Sequence, residues 1–422
     1  MQSIRDQAER AWHGDEAASQ GTGSAGRLFE VIPGVALATG FGLSIAIQTG
    51  DGLVVVDTSG RNHGGRVVAA IREWDTRPIR RVVYTHGHFD HVGGMPAFDA
   101  DAEERGFPRP HVIAHENLPL RMDRYTRTAG YNATINARQF FSQPSATPEA
   151  IASWRMHRLP DETYELQRRF EQGGLTFELR HAKGETDDHT WVWVPELKAI
   201  CAGDFFIWRT PNAGNPQKVQ RYPEEWAKAL RAMAAMDAEV FIPSHGVPIY
   251  GAGRIAQAMD EAARLLETLV EQTLELLNRG VRITEAIHTV QAPAELLARP
   301  YLKPFYDEPE FIVRNIWRMY GGWYDGNPAN LKPAPEAALA GELARLAGGA
   351  AALAVRAKEV AEAGDLRLAC HLAEFAALAA PGDPAIEAAC AGVYRLRAES
   401  EFSLMSRGIF NAAAREHEQA AQ

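Results

Sequence analysis

Residues 84–94 read YTHGHFDHVGG, and His86, His88, Asp90 and His91 crowd into six positions at the end of the strand-like run RRVVYT. This cluster restricts the fold more than any other feature. Imidazole and carboxylate at that density make either a polar loop or part of a metal site. A metal site needs further ligands from other loops. It therefore calls for a fold that gathers loops at the C-terminal ends of strands. The flanking sequence has that texture. FEVIPGVALATG and LSIAIQTGDGLVVVDTS are short β-branched runs punctuated by Gly and Asp, which read as strands. The Asp-Gly within residues 49–52 suits a hairpin turn because it accepts positive φ. GGRVVAAIREW (64–74) has helical spacing, and RRVVYTH (80–86) returns to strand, giving a β-α-β unit that ends in the histidines.

The alternation continues. SATPEAIASWRM predicts a helix with Thr147 as N-cap and Pro148 in its first turn. LTFELRHAKGE, HTWVWVPELKAICAGDFFIW and AEVFIPSH read as strands, with an amphipathic helix at 222–236 between the last two. Residues 1–26 are polar and small and predict a loose N-terminal arm, and residues 27–253 form the α/β region. After 254 the strand signal stops. One long helical pattern runs to Gly280, a second covers EPEFIVRNIWRMYGGWYDG, and an Ala- and Leu-rich remainder is broken at Gly348-Gly349, Gly364-Asp365 and PGDP (381–384). Residues 254–422 are therefore expected to be all-helical.

Charge excludes one class of partner. The net charge is −10 and no Lys/Arg run occurs, so dominant binding to a nucleic-acid backbone is not expected. Cys201, Cys370 and Cys390 are odd in number and far apart, which argues against a disulfide framework and for a reducing, cytoplasmic compartment. The N-terminus has no apolar signal-peptide core. No stretch approaches about 18 uninterrupted apolar residues, so no membrane span is expected.

Three further strand ends carry ligand-type residues beside glycine: Glu185 in AKGETDDHT, Asp204 in CAGDFF and His245 in FIPSHGVP. With His86, His88, Asp90 and His91 they make seven candidate ligands. His86, His88 and a carboxylate suit one zinc; Asp90, His91 and His245 suit a second; Asp204 can bridge, because a carboxylate has two oxygens. Two Zn2+ per chain, roughly 3.5–4 Å apart, would share a water acidified from about 15.7 to about 7, a nucleophilic hydroxide at neutral pH. Asp90 and Asp204 are thus the candidate catalytic residues. Asp187, Asp188 and His189 compete with Glu185 for its place, and His181 is a further candidate ligand although it reads as a strand residue. His63, His111, His157, His288 and His371 read as ordinary surface or core histidines.

His-x-His-x-Asp-His after a strand, followed by Gly-Gly, resembles the signature of the metallo-β-lactamase superfamily. DGLVVVDTS, the GD at 203–204 and the SHG at 244–246 extend the likeness across the first region. The resemblance implies an α/β fold, a four-layer αββα sandwich. Glu185, where most of that superfamily has a histidine, resembles the alkyl sulfatase (class III sulfatase) branch. FIVRNIWRMYGGWYDGNPANLKP and the Ala-rich remainder resemble its all-α dimerisation domain, which implies a homodimer. Two departures stand out. Asp204 occupies a bridging position that is usually Glu in that branch. The arginine that family members carry in an RGA stretch, to hold sulfate, falls near 215–217, where this chain has none. Arg209 and Arg221 are then the candidate replacements.

The activity so implied is hydrolysis of alkyl sulfate esters to an alcohol and inorganic sulfate. Tyr131, Asn132 and Arg138, in the segment 121–140, are candidate substrate contacts beside Arg209 and Arg221. Phe140, Phe141, Phe205, Phe206 and Trp208 are candidate apolar contacts for the alkyl chain. The same metal site on a phosphodiester, lactone or β-lactam is the alternative. A non-catalytic scaffold is the remaining one, and it has no need of all seven ligands.

Overall fold

A computed structural model describes residues 3–19, 25–140 and 158–422. The helix expected at Thr147–Pro148, together with Phe141 and His157, lies outside the described residues. The remainder divides into two compact units: the first within Met1–Ala129, Ala152–Arg279 and Ala286–Tyr320, the second within Gly130–Ile151, Gly280–Glu285 and Gly321–Gln422.

The first unit holds two sheets. One has seven strands in chain order: β1 (Leu28–Ile32), β2 (Val35–Ala38), β3 (Ser44–Thr49), β4 (Gly52–Val56), β5 (Ile79–Val83), β6 (His111–His115) and β7 (Glu162–Tyr164). Its first four strands pair antiparallel and the rest parallel. The expected hairpin is present, with Thr49 opposite Gly52 and Gly52 at φ 134°. The helix Gly64–Trp74 forms where its spacing placed it. Its Val67, Val68 and Ile71 pack with Val55, Val82, Phe98 and Val112 into one apolar core.

The second sheet runs β13-β12-β11-β10-β9-β8, from β8 (Gln167–Gln172), β9 (Leu175–His181), β10 (Thr190–Val194), β11 (Ala199–Cys201), β12 (Val240–Ile242) and β13 (Ile249–Tyr250). β10 is antiparallel to both β9 and β11, and β12 is parallel to β11. Hence β9, β11 and β12 point the same way, and the loops carrying Glu185, Asp204 and His245 leave one edge of this sheet. The helix Pro223–Ala234 connects β11 to β12 and packs along the long helix Ala252–Asn278. With helices on the outer faces, this is the αββα layering expected.

The chain turns all-helical at residue 252 among the described residues, whereas the first compact unit continues to Tyr320. The N-terminal segment is not loose throughout. Ile4–Trp12 is a helix capped by the Ser3 hydroxyl oxygen, which accepts the Asp6 N–H at 3.1 Å, and it buries Ile4, Ala8 and Ala11. Those three share one face, so the segment is amphipathic despite its polar composition.

The second unit is helical. Glu336–Ala347, Ala350–Glu362, Leu366–Ala379, Pro384–Ser400 and Leu404–Ala420 follow one another, and every glycine or PGDP break marks a boundary. Asp365 and Asp383 cap the helices that follow them. Ala357, Ala369, Ala373, Ala376 and Cys390 fill the core, their small side chains allowing close helix approach. No single helix among the described residues is long and apolar enough to cross a membrane.

Candidate metal centre

β5 ends at Val83, and the turn after it delivers His86 and His88 before the short helix Phe89–Val92 brings Asp90 and His91. The two glycines behind the motif have a packing reason. A Cβ on Gly94 would lie 2.0 Å from the Thr58 carbonyl oxygen, and one on Gly93 would lie 2.4 Å from that of Phe89.

The seven ligand-type residues form two groups, each with donor atoms within 4.8 Å of one another: His86, His88, Glu185 and Asp204, then Asp90, His91 and His245. In the first, His86 Nε2 is 2.9 Å from His88 Nδ1, and His88 Nδ1 is 3.7 Å from Glu185 Oε1. In the second, His245 Nε2 is 3.2 Å from Asp90 Oδ2, and His91 Nε2 is 3.5 Å from the same oxygen. Asp204, a member of the first group, also reaches the second, with Oδ2 3.5 Å from His91 Nε2 and 3.5 Å from His245 Nε2.

The chemistry of this arrangement fits divalent cations. His91 Nε2, Glu185 Oε2 and Asp204 Oδ1 are buried without a hydrogen-bond partner, a costly state unless something binds them. Burial, reinforced by His91 for the one and by Arg221 for the other, holds His86 and His88 well below the usual imidazole range. They are therefore neutral, the form that ligates metal. Burial opposes a proton on His91, yet Asp204, Asp90 and Asp57 raise its pKa well above normal: the carboxylates demand a positive charge there. Burial pushes Glu185 up to about 7 against the pull of Arg221. His86 and His91 are sealed, whereas His88, Asp90 and His245 keep side-chain exposures of 17%, 19% and 30%, so the centre opens on their side.

Further residues support these groups, and Asp57 and Arg121 among them carry no mark in the sequence analysis. Asp57, at the end of β4 and at φ 60°, accepts the Thr85 N–H and hydroxyl at 2.7 Å each, His91 Nδ1 at 2.8 Å and the Ser244 hydroxyl at 3.1 Å. With Nδ1–H held there, His91 turns Nε2 inward. Arg121 pairs with Asp187 and Asp188, and Asp188 accepts the Gly87 N–H at 2.8 Å, which fixes the turn between His86 and His88. His189 Nε2 accepts the Asp204 N–H at 3.1 Å, and burial pushes its pKa down to about 3. The rivals of Glu185 are thus engaged in support. His181 stacks on His115 at 3.6 Å and bonds the His189 carbonyl. A strand-end Asp after GLVVV was the available signal for Asp57; nothing local marked Arg121.

The candidate substrate residues fare unevenly. Arg221 Nη1 lies 2.5 Å from Glu185 Oε1 and donates to the Asn212 carbonyl at 2.9 Å. Arg209 donates to Ser19 Oγ and its neighbour's carbonyl and lies over the Phe305 ring, touching neither ligand group. Tyr131, Asn132, Arg138 and Phe140 belong to the second unit. There Tyr131 is exposed, Asn132 is buried and Arg138 pairs with Glu416 at 3.5 Å. Phe205, Phe206 and Trp208 do not offer an alkyl-binding face. All three are at most 3% exposed: Phe205 stacks on His189, Phe206 packs edge-on to Phe241, and Trp208 Nε1 donates to the Val247 carbonyl. All three lie in the core, where their apolar area is already buried. Half-buried Lys218 was missed. Burial pushes its pKa down to about 8, Arg221 adds to that, and Glu185 and Asp90 oppose it.

Strand-end ligands of this kind over paired sheets define a metallo-β-lactamase-type centre. Residues 37–245 match the metallo-beta-lactamase superfamily, and residues 282–420 match the alkyl sulfatase dimerisation family. The chain thus carries a metallo-beta-lactamase superfamily domain followed by an alkyl sulfatase dimerisation domain. It is 25% identical over 347 residues to a linear primary-alkylsulfatase of Pseudomonas sp. (strain ATCC 19151), covering 78% of this chain and 65% of that protein. It is 25% identical over 385 residues to an (R)-specific secondary-alkylsulfatase of Pseudomonas sp., covering 84% and 57%. It thus spans less than two thirds of the length of these relatives. The solved stereoselective inverting sec-alkylsulfatase Pisa1 from Pseudomonas sp. shares the fold, with a TM-score of 0.82, 21% identity and coverage of 100% of this chain and 69% of that one.

Proposed function

We propose that the chain is a dinuclear zinc hydrolase of alkyl sulfate esters. The observation that carries this is the pair of ligand groups joined through Asp204, together with the likeness to alkylsulfatases. His86, His88 and Glu185 would hold one ion, Asp90, His91 and His245 the other, and Asp204 both. When bound, the ions supply Lewis acidity and a water acidic enough to attack at neutral pH. The protein's own groups do the positioning: Asp57 orients His91, Asp188 fixes the Gly87 turn, and Arg221 with Asn212 holds Glu185. The histidine-rich set favours zinc. The test is sulfate release by the zinc-loaded chain from primary and secondary alkyl sulfates. Release is expected. No release from any ester, with two ions bound, would discard sulfate esters and turn the search to phosphodiesters, lactones and β-lactams.

Lys218 and Arg221 are the cations we assign to the anionic end of the substrate. Lys218→Met is expected to raise KM about 10- to 100-fold, the worth of one charge-assisted hydrogen bond, with metal content unchanged. The cation at 218 is present below about pH 8 and lost above it, so the KM of the parent enzyme should climb as pH rises through that value. Lys218→Arg should remove that climb, because guanidinium stays charged. An unaltered KM in Lys218→Met refutes the assignment.

Residues 27–253 would then be the catalytic part, and 254–422 would include the dimerisation part. The dimerisation match supports a homodimer. Sedimentation should give twice the 46.4 kDa chain mass, and a single-chain mass at micromolar concentration counts against it.

A further inference from the structure

Glu185 is held from one side only. Asn212 Nδ2 donates to its Oε1 at 2.6 Å and Arg221 Nη1 lies 2.5 Å from the same oxygen, which leaves the buried Oε2 without a partner. Asn212 and Arg221 stand at the two ends of a segment, 212–221, that contains neither helix nor strand. Irregular backbone holds a side chain only as well as it is itself held. The fastening comes from residues far along the chain. Asp307 Oδ2 accepts the Gly214 N–H at 2.5 Å and the Asn215 N–H at 3.2 Å, while its Oδ1 accepts the Glu308 N–H at 2.8 Å. Asn315, on the helix Pro309–Gly321, donates through Nδ2 to the Ala213 carbonyl at 2.8 Å and to the Arg221 carbonyl at 2.9 Å. One amide thus ties both ends of the segment together. Gln220 Nε2 adds a bond to Asn315 Oδ1 at 3.1 Å. The segment lies directly on that helix: a Cβ on Gly214 would sit 2.4 Å from the Ile312 nitrogen.

We propose that Asp307 and Asn315 are positioning residues for the Glu185 half of the centre, acting through Asn212 and Arg221. Asp307 is 0% and Asn315 4% exposed, and the contacts described for them reach neither Glu185 nor any other ligand-type residue. They lie outside the superfamily match and inside the dimerisation match, so a residue stretch assigned to assembly also completes the support of the reactive site. The inference rests on Glu185 being a metal ligand.

The experiment uses the full chain with Asp307→Asn, Asn315→Asp and Asn315→Ala. Two quantities are read: amide hydrogen exchange across 212–221 in metal-free protein, and the two zinc affinities by chelator competition. Loss of the clamp should speed exchange at Gly214 and Asn215 by about tenfold or more. One zinc should lose about 10- to 100-fold in affinity, as removal of a ligand's support does, while the other is retained. Asn315→Asp keeps the shape but turns a carboxylate oxygen on the Ala213 and Arg221 carbonyls, and Asn315→Ala removes the donors without adding charge, so the pair reports even where Asp307→Asn folds poorly. Faster exchange with both affinities unchanged would show that the clamp holds the loop but not the site, and overturns the inference. So would an equal weakening of both sites alongside a lower Tm, which marks a purely structural role. A parent chain that takes up no metal would instead remove the metal reading itself, and this inference with it.

Discussion

Asp204→Asn is expected to abolish sulfate release, lowering kcat/KM by at least about 10^3-fold, since loss of metal-ion stabilisation is worth several kcal/mol. Among the described residues, Asp204 is the carboxylate that belongs to one ligand group and reaches the other. Its replacement leaves an amide that cannot carry charge to either ion. Bound zinc should fall below two per chain. The metal-free variant should melt lower than the parent. Without ions, His245 and His91, each with Nε2 3.5 Å from Asp204 Oδ2, outweigh burial and hold the Asp204 carboxyl below the usual carboxylate range, and the amide forfeits both ion pairs. Mass spectrometry for metal content, sulfate assay and calorimetry on the two apo-proteins check the three parts. Full activity in the variant would refute the bridging role.

Asp57→Ala should show the largest loss of stability. Asp57 is wholly buried and satisfies four donors: the Thr85 amide and hydroxyl, His91 Nδ1–H and the Ser244 hydroxyl. Alanine leaves them buried and unpaired, at about 1–3 kcal/mol for each that cannot find another acceptor. A total near 4 kcal/mol, or about 10 °C in Tm for a unit of this size, is expected. Asp57→Asn keeps the shape and should stay folded, but its amide hydrogens face His91 Nδ1. The proton there is no longer held in place, and zinc affinity should drop by about 10- to 100-fold. Melting of Asp57→Ala within about 2 °C of the parent would contradict the count of unsatisfied donors.

Much of the fold was legible because its signals are short-range. The helix at 64–74, the hairpin at 49–52 and the glycine-marked breaks of the helical bundle each depend on residues a few positions apart. The ligand set was legible for a related reason. Every member follows a strand, and strand ends in a layered fold converge. The amphipathic helix at 4–12 was missed because charged residues masked a three-residue apolar face. An aromatic run beside a metal ligand, as at Phe205, Phe206 and Trp208, looks like a pocket wall in sequence, and only packing reveals that these rings face inward.

By itself the sequence determined the change from alternating strand and helix to all-helix and the seven candidate ligands, through local periodicity, turn chemistry and side-chain type; the αββα class came from the resemblance to the metallo-β-lactamase superfamily. The tertiary structure alone decided which of the seven stay open to solvent and what holds them. His91 meets Asp57 across 34 residues, Gly214 meets Asp307 across 93 and Ser244 meets Asp57 across 187. No local pattern encodes such pairings. Buried donors take whichever acceptor the packing of distant elements brings within hydrogen-bonding reach, and that is settled only when the layers close.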